Sequence, residues 1–96
     1  MPAYLVGHIA VKDQNQWSTY VDGVKKSLLP FDAEIVFRGR QVSVLAGELP
    51  YERTVVIRFS DHVTLQDWFR SEDYQALIPI RDRAADVVIA VYEDVE

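Results

Sequence analysis

His8, the only histidine in the first predicted strand, is a candidate base, because histidine is the residue type that takes up a proton near neutral pH. Strand alternation places Tyr4 on the same face of that strand. A pocket that holds His8 with Tyr4, Arg58 or Tyr92 could bind a carboxylate or a phenolate and supply a base. The strand registers decide whether Arg58 and Tyr92 share that face. The alternative is a histidine hydrogen-bonded inside a subunit interface.

Three further candidates for ligand binding are Arg38, Tyr74 and Arg81. The planar guanidinium of arginine matches the two oxygens of a carboxylate, so Arg38 and Arg81 are candidates for binding an organic anion. The alternative for Arg81 is an ion pair with Asp73, with Asp82 or with a carboxylate of a partner subunit.

Trp17 fits the apolar face of the first predicted helix, and Trp68 and Phe69 fit that of the second, so all three are typical of a buried core. They could instead form the wall of a cavity between the helices and the sheet. Aromatic walls with a few converging polar groups are the usual composition of a ligand site. The leading hypothesis is therefore a pocket lined by His8, Trp17, Arg58, Trp68 and Tyr92.

Charge and hydropathy bear on the partners. The net charge is -5, and Lys25–Lys26 is the only adjacent basic pair, so no concentrated basic face for nucleic acid is expected. No leader pattern and no apolar run of membrane-spanning length is present, so the protein is expected to be cytoplasmic and not bound to membranes.

Residue types also bear on cofactors. The chain has two histidines and no cysteine, which disfavours a zinc site. Gly39 and Gly47 stand alone, so no phosphate-binding glycine loop is predicted. No serine lies in a nucleophile-elbow motif. No cofactor is expected, and whether the protein is an enzyme is left undecided.

The order of secondary structure elements favours one α+β domain over residues 1–96. Apolar and β-prone runs predict strands over residues 3–12, 33–38, 53–60 and 87–92. A turn at Gly39-Arg40 and a further strand over 41–46 are expected, either as a hairpin partner or as a continuation after a bulge. Helices are predicted from an Asp13 cap to Pro30 and over 63–70, with a restart at Ser71 and either a kink or a new first turn near Pro79.

This order is that of a ferredoxin-like βαββαβ sandwich, with the first strand between the third and the fourth. The helices would cover one sheet face. The other face would carry apolar side chains, so two copies would pair through it as a homodimer that forms a dimeric α+β barrel. A chain of 96 residues without cysteine also favours oligomerisation as a source of stability. The residues expected on the open face are Val6, Ala10, Val56 and either Val88 or Val87.

Along nearly its whole length the chain resembles the domain of unknown function 1330 family (DUF1330), of the dimeric α+β barrel group. Two positions depart from the family pattern, because Asp32-Ala33 replaces a Gly-Gly pair and Glu93-Asp94 replaces Glu-Gly. The resemblance implies the fold and a homodimer, and it implies no reaction or ligand. It is carried by Trp17 with Tyr20, Phe37-Arg38-Gly39, Val42, Leu45-Gly47, Val55-Val56-Ile57-Phe59, Trp68-Phe69 with Ser71, Asp73-Tyr74-Gln75-Ala76-Leu77, and Arg81 with Ala84-Ala85.

Two functional hypotheses stay open. The first is a domain that binds or converts a small aromatic or carboxylate molecule without a cofactor. The alternative is a non-catalytic dimeric module, structural or regulatory, whose core is closed. The two differ in whether a cavity of ligand size lies inside the fold. A regulatory domain that binds another protein would in addition need an exposed apolar patch.

Overall fold

Four strands and four helices form the part of the chain that the computed structural model describes, residues 1–95. Residue 96, the last of the domain expected over 1–96, lies outside the described residues. The elements are β1 Ala3–Val11, α1 Gln14–Leu28, β2 Ala33–Arg40, β3 Arg53–Phe59, α2 His62–Arg70, α3 Glu72–Gln75, α4 Ile78–Ala84 and β4 Ala85–Glu93.

The sheet has the strand order β2-β3-β1-β4, and every neighbouring pair is antiparallel. The prediction that the first strand lies between the third and the fourth is confirmed. The register places Tyr4 opposite Arg58 on β3 and opposite Tyr92 on β4. It places His8 opposite Thr54 and Val88.

The helices cover one face of the sheet. Alternate residues of β1, among them Leu5 and Ile9, are buried on this face, and so is Ile57 of β3. The open face carries Val6, Ala10, Val56 and Val88, all half-buried or exposed. Of the two valines proposed for the open face, Val88 lies there, because Val87 is the register partner of Ile9 and faces the helices.

Helix α1 begins as its sequence predicts. The Asp13 carboxylate accepts a hydrogen bond from the Gln16 backbone N–H at 3.1 Å, and the Gln16 side-chain amide donates to the same carboxylate at 3.2 Å. Gly23 of this helix faces Leu77, so it brings α1 close to the junction of α3 and α4.

The segment after β3 is divided into three helices, so of the two alternatives at Pro79 the new first turn is the one found. The Asp61 carboxylate caps α2 by accepting from the Thr64 backbone N–H at 2.7 Å. The Ser71 hydroxyl ends the continuity of α2 and caps α3 by accepting from the Tyr74 N–H at 3.2 Å. Pro79 lies in the first turn of α4, where its missing N–H costs no helical hydrogen bond.

The prediction of a turn at Gly39-Arg40 and a strand over 41–46 is wrong. β2 runs through Gly39 to Arg40, and residues 41–50 are an exposed segment outside the sheet. The bulge lies earlier, between Ile35 and Phe37, and turns Phe37 onto the open face. Gly39 lies inside β2, and the Phe37 ring occupies the space that a Cβ at this position would need. No helix in residues 1–95 is long and apolar enough to cross a membrane.

Candidate functional site

A cavity of about 370 Å³ lies between α1 and the covered face of the sheet. This volume falls in the range of small-molecule sites. Its floor is formed by Leu5, Gly7, Ile9, Val55 and Ile57. Gly7 contributes no side chain to the middle of this floor, and a Cβ there would lie 3.1 Å from Val55 Cγ1.

Four aromatic side chains line the cavity above this floor. The ring centroids of Trp17 and Tyr20 are 5.1 Å apart, and those of Trp68 and Tyr74 are 4.4 Å apart. The Trp68 indole N–H donates to the hydroxyl of buried Ser27 at 2.9 Å, and that hydroxyl donates to the Val24 carbonyl at 2.7 Å. The Trp68 N–H is therefore satisfied inside the protein, and its ring offers the cavity an apolar surface.

The mouth of the cavity is cationic. Lys25, Arg38, Arg40 and Arg53 all line it. Arg40 and Arg53 are direct register partners on β2 and β3, so two like charges lie opposite each other. Arg53 donates to the Gln14 side-chain oxygen at 2.9 Å. Within residues 1–95, neither ion pair of the structure involves any of these four cations.

A chain of hydrogen bonds runs from Arg81 towards the cavity. The Arg81 guanidinium donates to the Tyr74 hydroxyl at 3.0 Å, and the Tyr74 and Tyr20 hydroxyls lie 2.9 Å apart. Burial, with the neighbouring Tyr74, raises the pKa of Tyr20. Burial disfavours the Arg81 charge, but the hydrogen bonds to Tyr74 and Asp82 outweigh it and raise the pKa of Arg81. The chain thus joins the Arg81 cation to two phenol groups.

The single pocket expected from the sequence is divided between the two faces of the sheet. Trp17 and Trp68 lie in the cavity under the helices, whereas His8, Arg58 and Tyr92 lie on the open face. The expected pocket is wrong in this respect, because alternation along β1 puts His8 opposite to the covered side chains.

On the open face the candidate residues form two groups. Arg58 and Tyr92 flank Tyr4 on the neighbouring strands. This first group lies four residues along β1 from His8, a distance of about 13 Å. His8 Nδ1 lies 3.2 Å from the Thr54 hydroxyl, and its ring centroid is 6.2 Å from that of Tyr51. Tyr4 and His8 share this face as alternation predicts, and the strand registers, which the sequence left open, bring Arg58 and Tyr92 to it as well.

Of the other candidates, Arg38 and Tyr74 line the cavity. Arg81 forms the expected ion pair with Asp82, with 3.2 Å between Nε and Oδ1. The lining residues that were not among the sequence candidates include Tyr20, Lys25, Arg40 and Arg53. Tyr20 follows Trp17 by three residues and could have been found from helical spacing, but the Arg40–Arg53 pair depends on a register that the bulge in β2 shifts.

No group of three or more metal-ligating side chains occurs in the described part of the chain. A second, shallower groove of about 430 Å³ lies between α2 and β4 and is lined mainly by apolar side chains.

Solved structures with the same architecture define the class of fold. The RPA0582 protein of unknown function from Rhodopseudomonas palustris has a TM-score of 0.86 at 10% identity, covering 99% of this chain and 83% of that one. A protein of unknown function from Jannaschia sp. CCS1, described as dimeric and ferredoxin-like, has a TM-score of 0.74 at 12% identity, with 98% and 100% covered. SnoaB from Streptomyces nogalater, described as a cofactor-independent oxygenase, has a TM-score of 0.68 at 8% identity, with 99% and 94% covered.

At such low identities these similarities show the fold alone, and they confirm a ferredoxin-like α+β domain. No curated protein matches the sequence. The chain belongs to the family described as Domain of unknown function (DUF1330), whose model matches residues 2–95. The resemblance noted in the sequence is thereby confirmed.

Proposed function

We propose that the cavity beneath α1 binds a small organic anion with an aromatic or apolar body and a carboxylate. The observation that carries this proposal is the Arg40–Arg53 pair at the mouth of an aromatic-walled cavity. Like charges directly opposite on neighbouring strands are destabilising, and a bound anion between them would relieve the repulsion.

The charge distribution supports an anionic ligand. The chain as a whole carries a net charge of -5, yet Lys25, Arg38, Arg40 and Arg53 converge on one opening. Clefts lined by one sign of charge raise the local concentration of ligands of the opposite sign. Arginine in particular binds carboxylates through two parallel hydrogen bonds.

The cavity walls support an aromatic or apolar body for the same ligand. Leu5, Ile9, Ile57 and the indole face of Trp68 offer apolar surface. A volume of about 370 Å³ favours binding over the alternative of a closed core. The lining residues within 1–95 include neither an imidazole nor a carboxylate, the usual general bases, so the proposal is binding rather than conversion.

Titration with 2-naphthoate and its neutral analogue 2-naphthamide, followed by amide NMR shifts, tests the proposal. We expect 2-naphthoate to bind more tightly and to perturb residues of α1, β1 and β3. Arg53→Gln should weaken 2-naphthoate about tenfold, with the matched control Arg83→Gln, an exposed α4 position, unchanged. Equal affinity for the acid and the amide, or no binding of either, would contradict it. His8→Ala should leave this binding unchanged, because His8 lies on the other face.

We also propose that two chains form a homodimer through their open sheet faces. The described residues measure 37 × 33 × 16 Å, and the smallest of these dimensions is the thickness of one helix layer on one sheet. The uncovered face exposes Phe37 by 55% and Val88 by 48%, and Val6 and Val56 lie between them. A sheet face of this composition is normally covered. The Jannaschia protein of similar fold is described as dimeric. In this arrangement His8 would lie in the interface.

Light scattering coupled to size exclusion measures the assembly directly. The wild-type protein should have twice the mass of the chain, and Val56→Asp should have the mass of one chain. Val63→Asp is the matched control, because Val63 is 66% exposed on α2, away from the open face. A wild-type protein with the mass of a single chain would contradict the pairing.

A further inference from the structure

The two phenols of the hydrogen-bond chain, Tyr20 and Tyr74, carry two hydroxyl hydrogens, and only one of them has an acceptor in the described structure. Each phenol carries a single hydrogen that it can donate. The Arg81 N–H donates to the Tyr74 oxygen at 3.0 Å, and the 2.9 Å contact between the two phenol oxygens uses one of the two hydroxyl hydrogens. No other hydrogen bond within residues 1–95 involves either hydroxyl. One hydroxyl hydrogen is therefore left to donate.

The hydroxyl hydrogen without an acceptor belongs to a buried side chain. Tyr74 is 0% exposed and Tyr20 is 7% exposed, and both line the cavity. A buried donor without an acceptor is destabilising. Because both residues line the cavity, an oxygen of a bound ligand would supply such an acceptor.

The cation at the other end of the chain sets its direction. When Arg81 donates to the Tyr74 oxygen, it polarises the Tyr74 O–H and makes it the better donor to Tyr20. All hydrogens then point the same way, from Arg81 through Tyr74 to Tyr20. The Tyr20 O–H remains for the cavity. Burial also raises the pKa of Tyr20, so this phenol keeps its hydrogen at neutral pH.

We infer that Tyr20 donates a hydrogen bond to an oxygen acceptor at the inner end of the ligand, with Arg81 and Tyr74 positioning and polarising that donor. This inference rests on the binding proposed above and narrows the ligand class. The ligand has a carboxylate at the cationic mouth and, at its opposite end, a carbonyl or similar oxygen that accepts a hydrogen bond. Oxo-substituted aromatic acids have this arrangement.

Two acids of nearly the same shape separate this inference from the binding proposal. In 4-acetylbenzoate the inner end is a ketone, and in 4-isopropylbenzoate it is an apolar group of similar size. Tyr20→Phe should weaken 4-acetylbenzoate about tenfold and leave 4-isopropylbenzoate unchanged, because only the ketone accepts the hydrogen bond. In that variant the Tyr74 hydroxyl does not replace the lost donor, because it is the next group along the hydrogen-bond chain and lies farther from the ligand. Tyr51→Phe, outside the cavity, is the matched control and should change neither affinity.

Infrared spectroscopy of bound 4-acetylbenzoate, labelled with ¹³C at the ketone, gives a readout that a merely structural role of Tyr20 would not change. The ketone stretch should move to lower frequency on binding to the wild-type protein and return towards its unbound value in Tyr20→Phe. Should Tyr20→Phe fail to fold, the wild-type spectrum decides.

The failures are distinguishable. If both acids bind and the wild-type ketone stretch does not move, or Tyr20→Phe weakens both acids equally, the inferred donor is wrong and the anion site stands. If neither acid binds the wild-type protein, the proposed function fails and the donor role fails with it.

Discussion

Gly23 of α1 lies directly against Leu77, the residue between α3 and α4. A Cβ added at Gly23 would lie 2.5 Å from Leu77 Cδ2 and 3.2 Å from Cδ1. Both branches of the leucine occupy the space that a Cβ would need, so a side chain at this position requires Leu77 to move. The glycine therefore sets the distance between α1 and the C-terminal helices.

Gly23→Ala should destabilise the protein by about 1 kcal/mol in urea unfolding, although alanine favours an isolated helix by about the same amount. The overpacking against Leu77, about 2 kcal/mol, outweighs the gain in helix propensity. In a Leu77→Ala background the same substitution should become stabilising by about 1 kcal/mol, because only the propensity remains. A stabilising effect of Gly23→Ala in the wild-type background would show that Leu77 moves away freely.

Ser27→Ala should destabilise the protein by about 1–3 kcal/mol, because the buried indole N–H of Trp68 loses its acceptor. Ser18→Ala is the matched control, since Ser18 is exposed on the same helix and gains the same helix propensity. Its effect should stay within about 0.5 kcal/mol. Urea unfolding followed by tryptophan fluorescence measures both variants, and equal effects would contradict the proposed role of Ser27.

Acid destabilisation should be smaller in Asp61→Asn than in the wild-type protein. Hydrogen bonds from the Thr64 backbone and side chain hold the pKa of Asp61 below its ordinary value of 3.8. A carboxyl whose folded-state pKa is lowered contributes stability that is complete above its unfolded pKa and is lost as the pH falls through the folded one.

Wild-type melting temperature should therefore fall below about pH 4, and this loss should be reduced in Asp61→Asn, because asparagine caps equally well and does not titrate. Asp67→Asn, an exposed position in the same helix, serves as the control and should retain the wild-type acid profile. Parallel profiles for all three proteins would exclude the Asp61 cap as the cause.

Filling the cavity floor at Gly7 should weaken ligand binding while the fold is kept. Gly7→Ala adds one carbon 3.1 Å from Val55 Cγ1, which needs only a small displacement, and Gly7→Val adds two more carbons towards the cavity. Valine also favours a strand more than glycine does. We expect stability within about 1 kcal/mol of wild type and stepwise weaker binding of 2-naphthoate, measured by calorimetry. Unchanged binding in Gly7→Val would place the ligand elsewhere.

Local sequence patterns were sufficient to predict most elements and the strand order. The caps Asp13, Asp61 and Ser71 form their bonds within three residues, so their neighbours in sequence determine them. Pro79 likewise acts through the backbone of its own turn. Together with alternation in the strands, these features fix the element order, from which the fold class follows.

The error over residues 41–46 arose because Val42 and Val44 alternate with polar residues as a strand would, although no partner strand continues beside them. The last backbone hydrogen bond before this segment is the one that the Gln41 N–H donates to the Glu52 carbonyl at 2.6 Å. The continuation of β2 through Gly39 rests on its pairing with Thr54 of β3, and the bulge at Ile35/Phe37 that sets this register has no local signal in the sequence.

The site was harder to predict because its parts come from different elements. Sequence analysis selected Trp17, Trp68, Tyr74 and Arg38, all of which line the cavity. It also grouped His8 with them, although alternation already separates His8 from the covered face. The meeting of Arg40 with Arg53 depends on a shifted register between strands, which only the folded chain reveals.

The central position of β1 has a consequence for the synthesis of the chain. β1 leaves the ribosome first, but its two neighbours are β3, which ends at Phe59, and β4, which ends at Glu93. Both edges of the first strand therefore stay unpaired while most of the chain is translated, and such edges are prone to association with other chains. The sheet is completed only when β4 has been synthesised, so the pairing of β1 with β4 joins the first and the last strand of the domain.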